Sequence, residues 1–229
     1  MKLIEFKQVN LTPDKAFEDY DEIISIKRNA KTITEDEFIR KFIKAFKETV
    51  RDIWDKNKYH IVLHSSGYDS RMLSWTIKQL NLSDLTYLCM EPEWDEFYPI
   101  MEYIGGEHHK MVVHRRGDNP GSNAIMDAMS ERYLETYDTQ VIAAGYFNEI
   151  LSYGLLKNNT FKQWIDKYYY HQYTKNASQY PANVYYPILG IKVLKLVISS
   201  NINLDLNLHH KIIKTADPIL FNFKRYQDK

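Results

Sequence analysis

Seven consecutive residues between a strand-like and a helix-like segment carry the side chains best suited to chemistry in this chain. They read SSGYDSR at 65–71 and follow the apolar run HIVLH at 60–64. Small residues let a backbone approach a phosphate closely, and the amides at a helix start form an anion cradle. Asp69 offers the carboxylate oxygens that Mg²⁺ prefers. The turn is therefore a candidate site for phosphates and Mg²⁺. It lacks the GxxxxGK[ST] pattern, which excludes a Walker-type loop.

Strand-like and helix-like segments alternate around this turn. Strands are predicted at 60–64, 85–90, 110–114 and 140–145, and helices over 70–80, 94–104 and roughly 122–135. Alternation at these lengths is typical of a parallel sheet flanked by helices, which makes α/β the predicted fold class. Ligands in such sheets bind beyond the carboxyl ends of the strands, where the turn lies.

The remaining patterns divide the chain into three parts. Residues 1–34 are predicted to form an N-terminal arm or short strands, 35–156 the α/β core, and 157–229 a helical C-terminal region packed on the core. A helix starting at Thr34 is indicated by a possible capping box with Glu37 and by apolar residues at helical spacing. After residue 156 the strand signals stop, and helices are predicted around 160–171, 187–200 and 208–216.

The composition limits the partners and the cellular compartment that we expect for this chain. The chain has 229 residues and balances 30 basic against 30 acidic side chains, so no overall field points to nucleic acid as a partner, although a local basic patch stays open. Cys89 is the single cysteine, which rules out an internal disulfide. The start lacks the apolar core of a secretory signal, and Lys192 and Lys195 interrupt the most apolar later stretch. We expect a cytoplasmic protein without a membrane partner.

Four segments carry a resemblance to a known family. SSGYDSR resembles the SGGxDS motif of the PP-loop ATP pyrophosphatases, and HIVLHSSGYDSRMLSW resembles the synthetase domain of asparagine synthetases. EPEWDEFYPIMEYIGGEHHKMVVH, VIAAGYFNEILSYG and the tail YPILGIKVLKLVISSNINL with HHKIIKTADPIL resemble later segments of that family in the same order. The matches span roughly residues 35 to 220. No counterpart of the glutaminase domain is present in this sequence.

The resemblance implies a fold, a reaction and partners. It implies a HUP-like PP-loop core over 35–156 that binds ATP and Mg²⁺, and an AMP-forming ligase that adenylates a carboxylate for amide formation. The nitrogen would come from ammonia or an amine, with a separate ammonia source as a possible partner. The small-molecule carboxylate and amine are the expected substrates, and nucleic acid is a minor alternative.

The same resemblance assigns site residues. It gives catalytic roles to Asp69, Lys211 and Glu149. It assigns the binding of Mg²⁺ to Asp69 and Asn148. Contacts with ATP or pyrophosphate are assigned to Leu63, Ser65, Ser66, Gly67, Tyr68, Ser70, Arg71, Met90, Gly145 and Asn148. Three positions depart from the family pattern: Ser66 replaces a Gly, Asn148 stands for an Asp, and Gly145 falls where Glu is common.

Two alternatives stay open at the level of sequence. A PP-loop enzyme could direct AMP-forming chemistry at a nucleotide or nucleobase, although sulfur transfer is disfavoured because relatives that perform it usually bring extra cysteines. A nucleotide-binding or assembly protein with reduced catalysis is the other alternative, because Gly145 and Asn148 remove two charges from the second metal arm.

Overall fold

The computed structural model describes residues 32–111, 139–145, 147–151, 184–202 and 206–228. Several predicted features lie outside these ranges: residues 1–31 of the arm predicted at 1–34, the helix at about 122–135 and the helix around 160–171.

The first helix, α1, spans Glu35–Ile53 and begins where the sequence predicts. Thr34 has extended backbone and its hydroxyl accepts a hydrogen bond from the amide of Glu37, at 3.2 Å. Acidic residues in the first turn complement the positive end of the helix dipole. The helix buries a stripe of aromatic side chains, of which Phe42 and Phe46 pack against the ring of Phe147. This stripe anchors α1 in the core.

In the described part of the chain, five parallel strands form one sheet in the order β3-β2-β1-β4-β5. They are β1 (Tyr59–His64), β2 (Leu85–Met90), β3 (Glu107–Met111), β4 (Thr139–Ala143) and β5 (Val184–Tyr185). β1 is central: β2 and β3 extend the sheet to one side, and β4 and β5 extend it to the other. The strand order therefore reverses between β1 and β4, the position where open α/β sheets leave a crevice for ligands.

Helices connect and cover the strands. They are α2 (Tyr68–Gln79), α3 (Trp94–Ile104), α4 (Phe147–Leu151), α5 (Ile191–Ser199), α6 (Leu206–Ala216) and α7 (Pro218–Phe221). Short 3₁₀ turns lie at Glu91–Glu93, Pro187–Leu189 and Tyr226–Asp228. α5 and α6 pack against α1, and α6 also contacts α2 and α4, so the C-terminal helices lie over the core. None of the described helices is long and apolar enough to cross a membrane.

The predicted fold class, a parallel α/β sheet flanked by helices with a helical C-terminal region, is confirmed. The prediction that strands end before residue 157 is wrong, because β5 extends the sheet through the pairs Val141↔Val184 and Ile142↔Tyr185. Two residues carry no periodicity, so their strand character comes from pairing with β4 alone. β3 also starts at Glu107, earlier than predicted, because Gly105 and Gly106 turn the chain with φ of 83° and 106°.

Candidate functional site

The predicted turn lies at the carboxyl end of the central strand. β1 ends at His64 and α2 begins at Tyr68, with Gly67 as the N-cap residue in extended backbone. Gly67 has no side chain to cap the helix. The amides of the first helical turn, including those of Tyr68 and Asp69, have no intrahelical acceptor. Amides in this position are the donors that an anion at a helix start uses.

Two serines hold the turn in shape. The amide of Ser65 donates to the hydroxyl oxygen of Ser70 at 3.0 Å, and the two hydroxyl oxygens are also 3.0 Å apart. The amide of Gly67 donates to the hydroxyl oxygen of Ser65 at 3.1 Å. A Cβ at Gly67 would come within 3.2 Å of that same oxygen. The tight turn therefore favours glycine at this position.

A carboxylate already lies on this turn. The amide and the hydroxyl of buried Ser66 both donate to Oε2 of Glu93, each at 2.8 Å. The same hydroxyl oxygen accepts from the amide of Tyr226 at 2.9 Å. Ser66 stands where the family that the sequence resembles has Gly. Its bonds join the turn to the 3₁₀ turn Glu91–Glu93 after β2 and to the C-terminal segment at Tyr226–Asp228. Glu93 shows that the Ser66 amide is placed to bind an oxyanion.

Arg71 has partners other than those predicted. Its side chain is fully buried, and its Nε donates to the carbonyl of Ser66 at 2.9 Å. Nη1 donates to the carbonyls of Leu220 and Phe221 at 3.0 and 3.1 Å, and Nη2 donates to that of Lys224 at 2.8 Å. Burial lowers the pKa of Arg71 to about 10. The geometry gives no support to a phosphate contact, because the C-terminal segment folds back and supplies carbonyl acceptors to this guanidinium.

Tyr68 packs between the turn and the C-terminal region. Its ring stacks on Phe221 with centroids 5.0 Å apart and an interplanar angle of 5°. The guanidinium of Arg225 lies 4.5 Å from the centroid of the ring, and the ring of His210 lies 4.9 Å away. The predicted contact of Tyr68 with ATP would therefore involve its backbone amide or the exposed part of the ring.

Asp69 pairs with a histidine that the sequence analysis did not select. Its Oδ1 lies 3.0 Å from Nε2 of His209, at ion-pair distance although not aligned as a hydrogen bond. The His209 side chain is 4% exposed and that of Asp69 is 26% exposed. His209 in turn stacks on Phe147, with centroids 5.3 Å apart. The signal for His209 is its place in HHK at 209–211, two residues before the predicted Lys211.

Lys211 projects from α6 and not into the turn. Its Nζ lies 2.6 Å from Oε1 of Glu35 on α1, and about half of the side chain is exposed. It also lines an open pocket with His210 and Phe221, both of which contact Tyr68. Lys211 is thus near the turn, on a neighbouring surface.

The other predicted residues lie at or near the carboxyl edge of the sheet. Leu63 is half-buried near the end of β1, paired with Leu88 and Ala143. Met90 is the last residue of β2, and Gly145 follows β4, where an added Cβ would lie 3.4 Å from the ring of Tyr186. Asn148 and Glu149 belong to α4, and the description covers their backbone but not their side chains.

The side chains at the turn suit a cation that is held partly by the protein and partly by ATP. No group of three His, Cys, Asp or Glu side chains forms a metal site within the described part of the chain. Mg²⁺ in nucleotide sites is commonly held by one or two carboxylates together with phosphate oxygens. The partly exposed carboxylate of Asp69 fits that pattern.

Together these features define a parallel α/β protein whose central strand ends in a turn that holds the carboxylate of Glu93. No protein-family model and no curated protein matches the sequence. Among solved structures, the chain is similar to the U34-tRNA thiolase NcsA from Methanococcus maripaludis with its [4Fe-4S] cluster, with a TM-score of 0.44 and 12% identity over 83% of this chain and 82% of that one. It is also similar to the NH3-dependent NAD synthetase from Campylobacter jejuni, in complex with the nitrate ion, with a TM-score of 0.37 and 13% identity over 64% of this chain and 78% of that one. Likenesses of this strength assign no activity.

Proposed function

We propose that the protein binds ATP at the 65–71 turn and cleaves it between the α and β phosphates, adenylating a carboxylate for amide formation with ammonia or an amine. The observation that carries the proposal is the place and form of the turn. The amides at the start of α2 lie at the carboxyl end of β1, where the strand order reverses, and Asp69 belongs to the same helical turn. The SSGYDSR motif, which resembles that of the PP-loop ATP pyrophosphatases, supports this choice of phosphates.

Different residues of the turn would bind the pyrophosphate group and Mg²⁺. The amides at the start of α2 and the hydroxyls of Ser65 and Ser70 would hold the pyrophosphate group, because charge-assisted hydrogen bonds to fixed amides stabilise phosphate oxygens. Asp69 would hold Mg²⁺, and the buried His209 would keep its carboxylate oriented. Bound Mg²⁺ would neutralise charge that develops on the phosphates.

Lys211 would contribute to ATP binding only if its ammonium leaves Glu35. Its ammonium is paired with Glu35 at 2.6 Å, and an exposed pair of this kind is weak. A polyphosphate near the turn offers more negative charge than one carboxylate and would draw Lys211 away from Glu35. Lys211 would then neutralise phosphate as a flexible point charge.

Pyrophosphate release from ATP and Mg²⁺ tests the proposal. We expect release that depends on one acid from a panel of carboxylates with ammonium present, and a loss on the order of a hundredfold in Asp69→Asn. Asp52→Asn is the matched control, because Asp52 lies near the C-terminal end of α1 and pairs with Lys192 on the surface. Equal rates in wild type and Asp69→Asn would refute the assignment of the site.

A nucleobase acceptor is the second enzymatic candidate, with the same AMP-forming step. Within that class the structure argues against sulfur transfer through the chain's own thiol. Cys89 is fully buried in β2, and burial raises the pKa of its thiol, which suppresses the reactive thiolate. Pyrophosphate release stimulated by nucleotides or RNA instead of a carboxylate would select this candidate.

A nucleotide-binding protein without turnover is favoured by one observation, the Glu93 carboxylate on the Ser66 amide. An internal anion at this position competes with phosphate. Saturable ATP binding by calorimetry without pyrophosphate release under any condition would support this function instead.

A further inference from the structure

One face of α6 and the end of α7 line an open pocket of about 310 Å³ beside the turn. Its described lining consists of Asn207, His210, Lys211, Lys214 and Phe221. The four residues from α6 follow the spacing i, i+3, i+4 and i+7, which places them on one side of the helix. Three of these four residues, His210, Lys211 and Lys214, have basic side chains, and none of the four is acidic. The pocket is therefore a concave surface with a positive lining.

The charges around the pocket reinforce one another. Lys211 and Lys214 are exposed cations one helical turn apart, and none of the described lining residues is acidic, although Glu35 of α1 pairs with Lys211. Burial lowers the pKa of His210, and the nearby His209 and Arg225 lower it further. His210 therefore experiences a positive local field. The carboxylate of Glu35, at 2.6 Å from Lys211, shows that an oxyanion is accepted at the edge of this face.

Phe221 supplies an apolar wall. The ammonium of Lys214 lies 6.0 Å from the centroid of its ring. The ring also contacts His210 and stacks on Tyr68. These contacts fix the ring, so the wall is preformed. Cationic groups beside an aromatic wall suit a small molecule with an acidic group and a flat or apolar part.

We propose that this pocket is an oxyanion subsite that binds the carboxylate or phosphate group of a small molecule through Lys211, Lys214 and Asn207, with the rest of the ligand against Phe221. This subsite shares Lys211 with the proposed ATP site but otherwise uses residues outside the turn, and its occupation requires no ATP cleavage. A ligand oxyanion would replace Glu35 at Lys211 and gain Lys214 as a second cation. The pocket would hold that ligand next to Tyr68, the first residue of α2.

Binding of simple anions tests the subsite. The probes are inorganic phosphate and phenyl phosphate in one arm and acetate and benzoate in the other, titrated into the full chain without ATP. The readouts are calorimetry and the ring resonances of His210. We expect saturable binding and a rise in the pKa of His210 with bound anion. The aromatic member of the preferred pair should bind more tightly, and the preferred pair identifies the acidic group as phosphate or carboxylate.

Variants separate this subsite from general attraction to a basic surface and from the ATP site. Lys214→Gln should weaken anion binding about tenfold, because it removes one charge-assisted hydrogen bond. Lys44→Gln, an exposed lysine on α1 outside the pocket lining, should leave it unchanged. Asp69→Asn should retain anion binding even if it abolishes ATP turnover. Equal losses in Lys44→Gln and Lys214→Gln, or unaltered binding in Lys214→Gln, would overturn the subsite.

Asn207→Ala is the second variant, for the case in which Lys214→Gln lowers stability, because it removes another proposed anion contact from the same face of α6. It should weaken binding of the preferred anion and retain the circular dichroism spectrum of the wild type. The absence of saturable binding by the wild type to all four probes would also overturn the subsite.

Discussion

At the scale of single residues, burial is accommodated in two ways. Arg71 cannot stay buried as a cation without acceptors, and it obtains four carbonyls from the turn and the C-terminal segment. His64, at the end of β1, is buried without a charge instead. Its side chain is buried with Nε2 at 3.0 Å from the hydroxyl of Ser74. Burial lowers its pKa to about 3, so the ring stays neutral in the folded protein.

This lowered pKa predicts how stability changes with pH. In the unfolded chain histidine titrates near pH ~6.5, so between that value and about 3 the unfolded state binds the extra proton. The free energy of unfolding should therefore fall with decreasing pH in this window, by up to about 1.4 kcal/mol per pH unit from His64. Urea unfolding at pH 7, 6 and 5 measures the slope.

A matched pair of variants isolates the contribution of His64. His64→Gln keeps a polar partner for Ser74 but does not titrate, so its slope should be shallower than that of the wild type. His109→Gln changes a partly exposed histidine on β3 and should keep the wild-type slope. A wild-type slope in His64→Gln would contradict the prediction. The pKa of His60 is also lowered, chiefly by burial, which leaves a residual slope in the variant.

At the scale of elements, the 3₁₀ turn Glu91–Glu93 and the C-terminal turn Tyr226–Asp228 meet at Ser66. The carboxylate of Glu93 accepts from the Ser66 amide, and the amide of Tyr226 donates to the hydroxyl of the same residue. If phosphate binds at the Ser66 amide, the carboxylate of Glu93 must leave it. The elements next to the turn therefore set part of its affinity for anions.

Glu93→Ala tests this competition. Removal of the carboxylate should tighten ATP binding about fivefold, because a partly exposed charge of the same sign as phosphate is worth ~1 kcal/mol. Glu91→Ala is the control: it removes an exposed acid two residues away, which pairs with Lys110 and does not contact Ser66. Calorimetry with a non-hydrolysable ATP analogue gives both Kd values. Unchanged or weaker binding in Glu93→Ala would show that phosphate does not use the Ser66 amide.

The sequence predicted elements well where the local pattern was strong. Helix α1 follows from its cap at Thr34 and its buried stripe, and β2 follows from a continuous apolar run at 85–90. β5 carried no such pattern, because a two-residue strand is defined by its neighbour β4. The turn and Asp69 were predicted from types and spacing. His209 and Glu93 were not, because contacts between distant segments of the chain leave no local pattern.

At the scale of the whole molecule, the C-terminal segment is hydrogen-bonded to the helix that follows the central strand of the sheet. Arg71 stands in the first turn of α2, directly after β1, and bonds to carbonyls at Leu220, Phe221 and Lys224. Tyr68 adds a stacked contact with Phe221. The turn and the last helices should therefore open as one cooperative unit, although about 150 residues separate them in sequence.

Hydrogen exchange followed by mass spectrometry tests this coupling. In the wild type, peptides covering 65–71 and 220–226 should exchange at matching rates. Arg71→Met should accelerate exchange in both peptides, because it leaves the C-terminal carbonyls without their donor. Peptides from β2 and β3, which Arg71 does not contact through any described hydrogen bond, should keep the wild-type rate. Arg51→Met, a change of an exposed arginine in the last turn of α1, controls for loss of positive charge. Acceleration confined to 220–226 would show that the C-terminal segment opens independently of the turn.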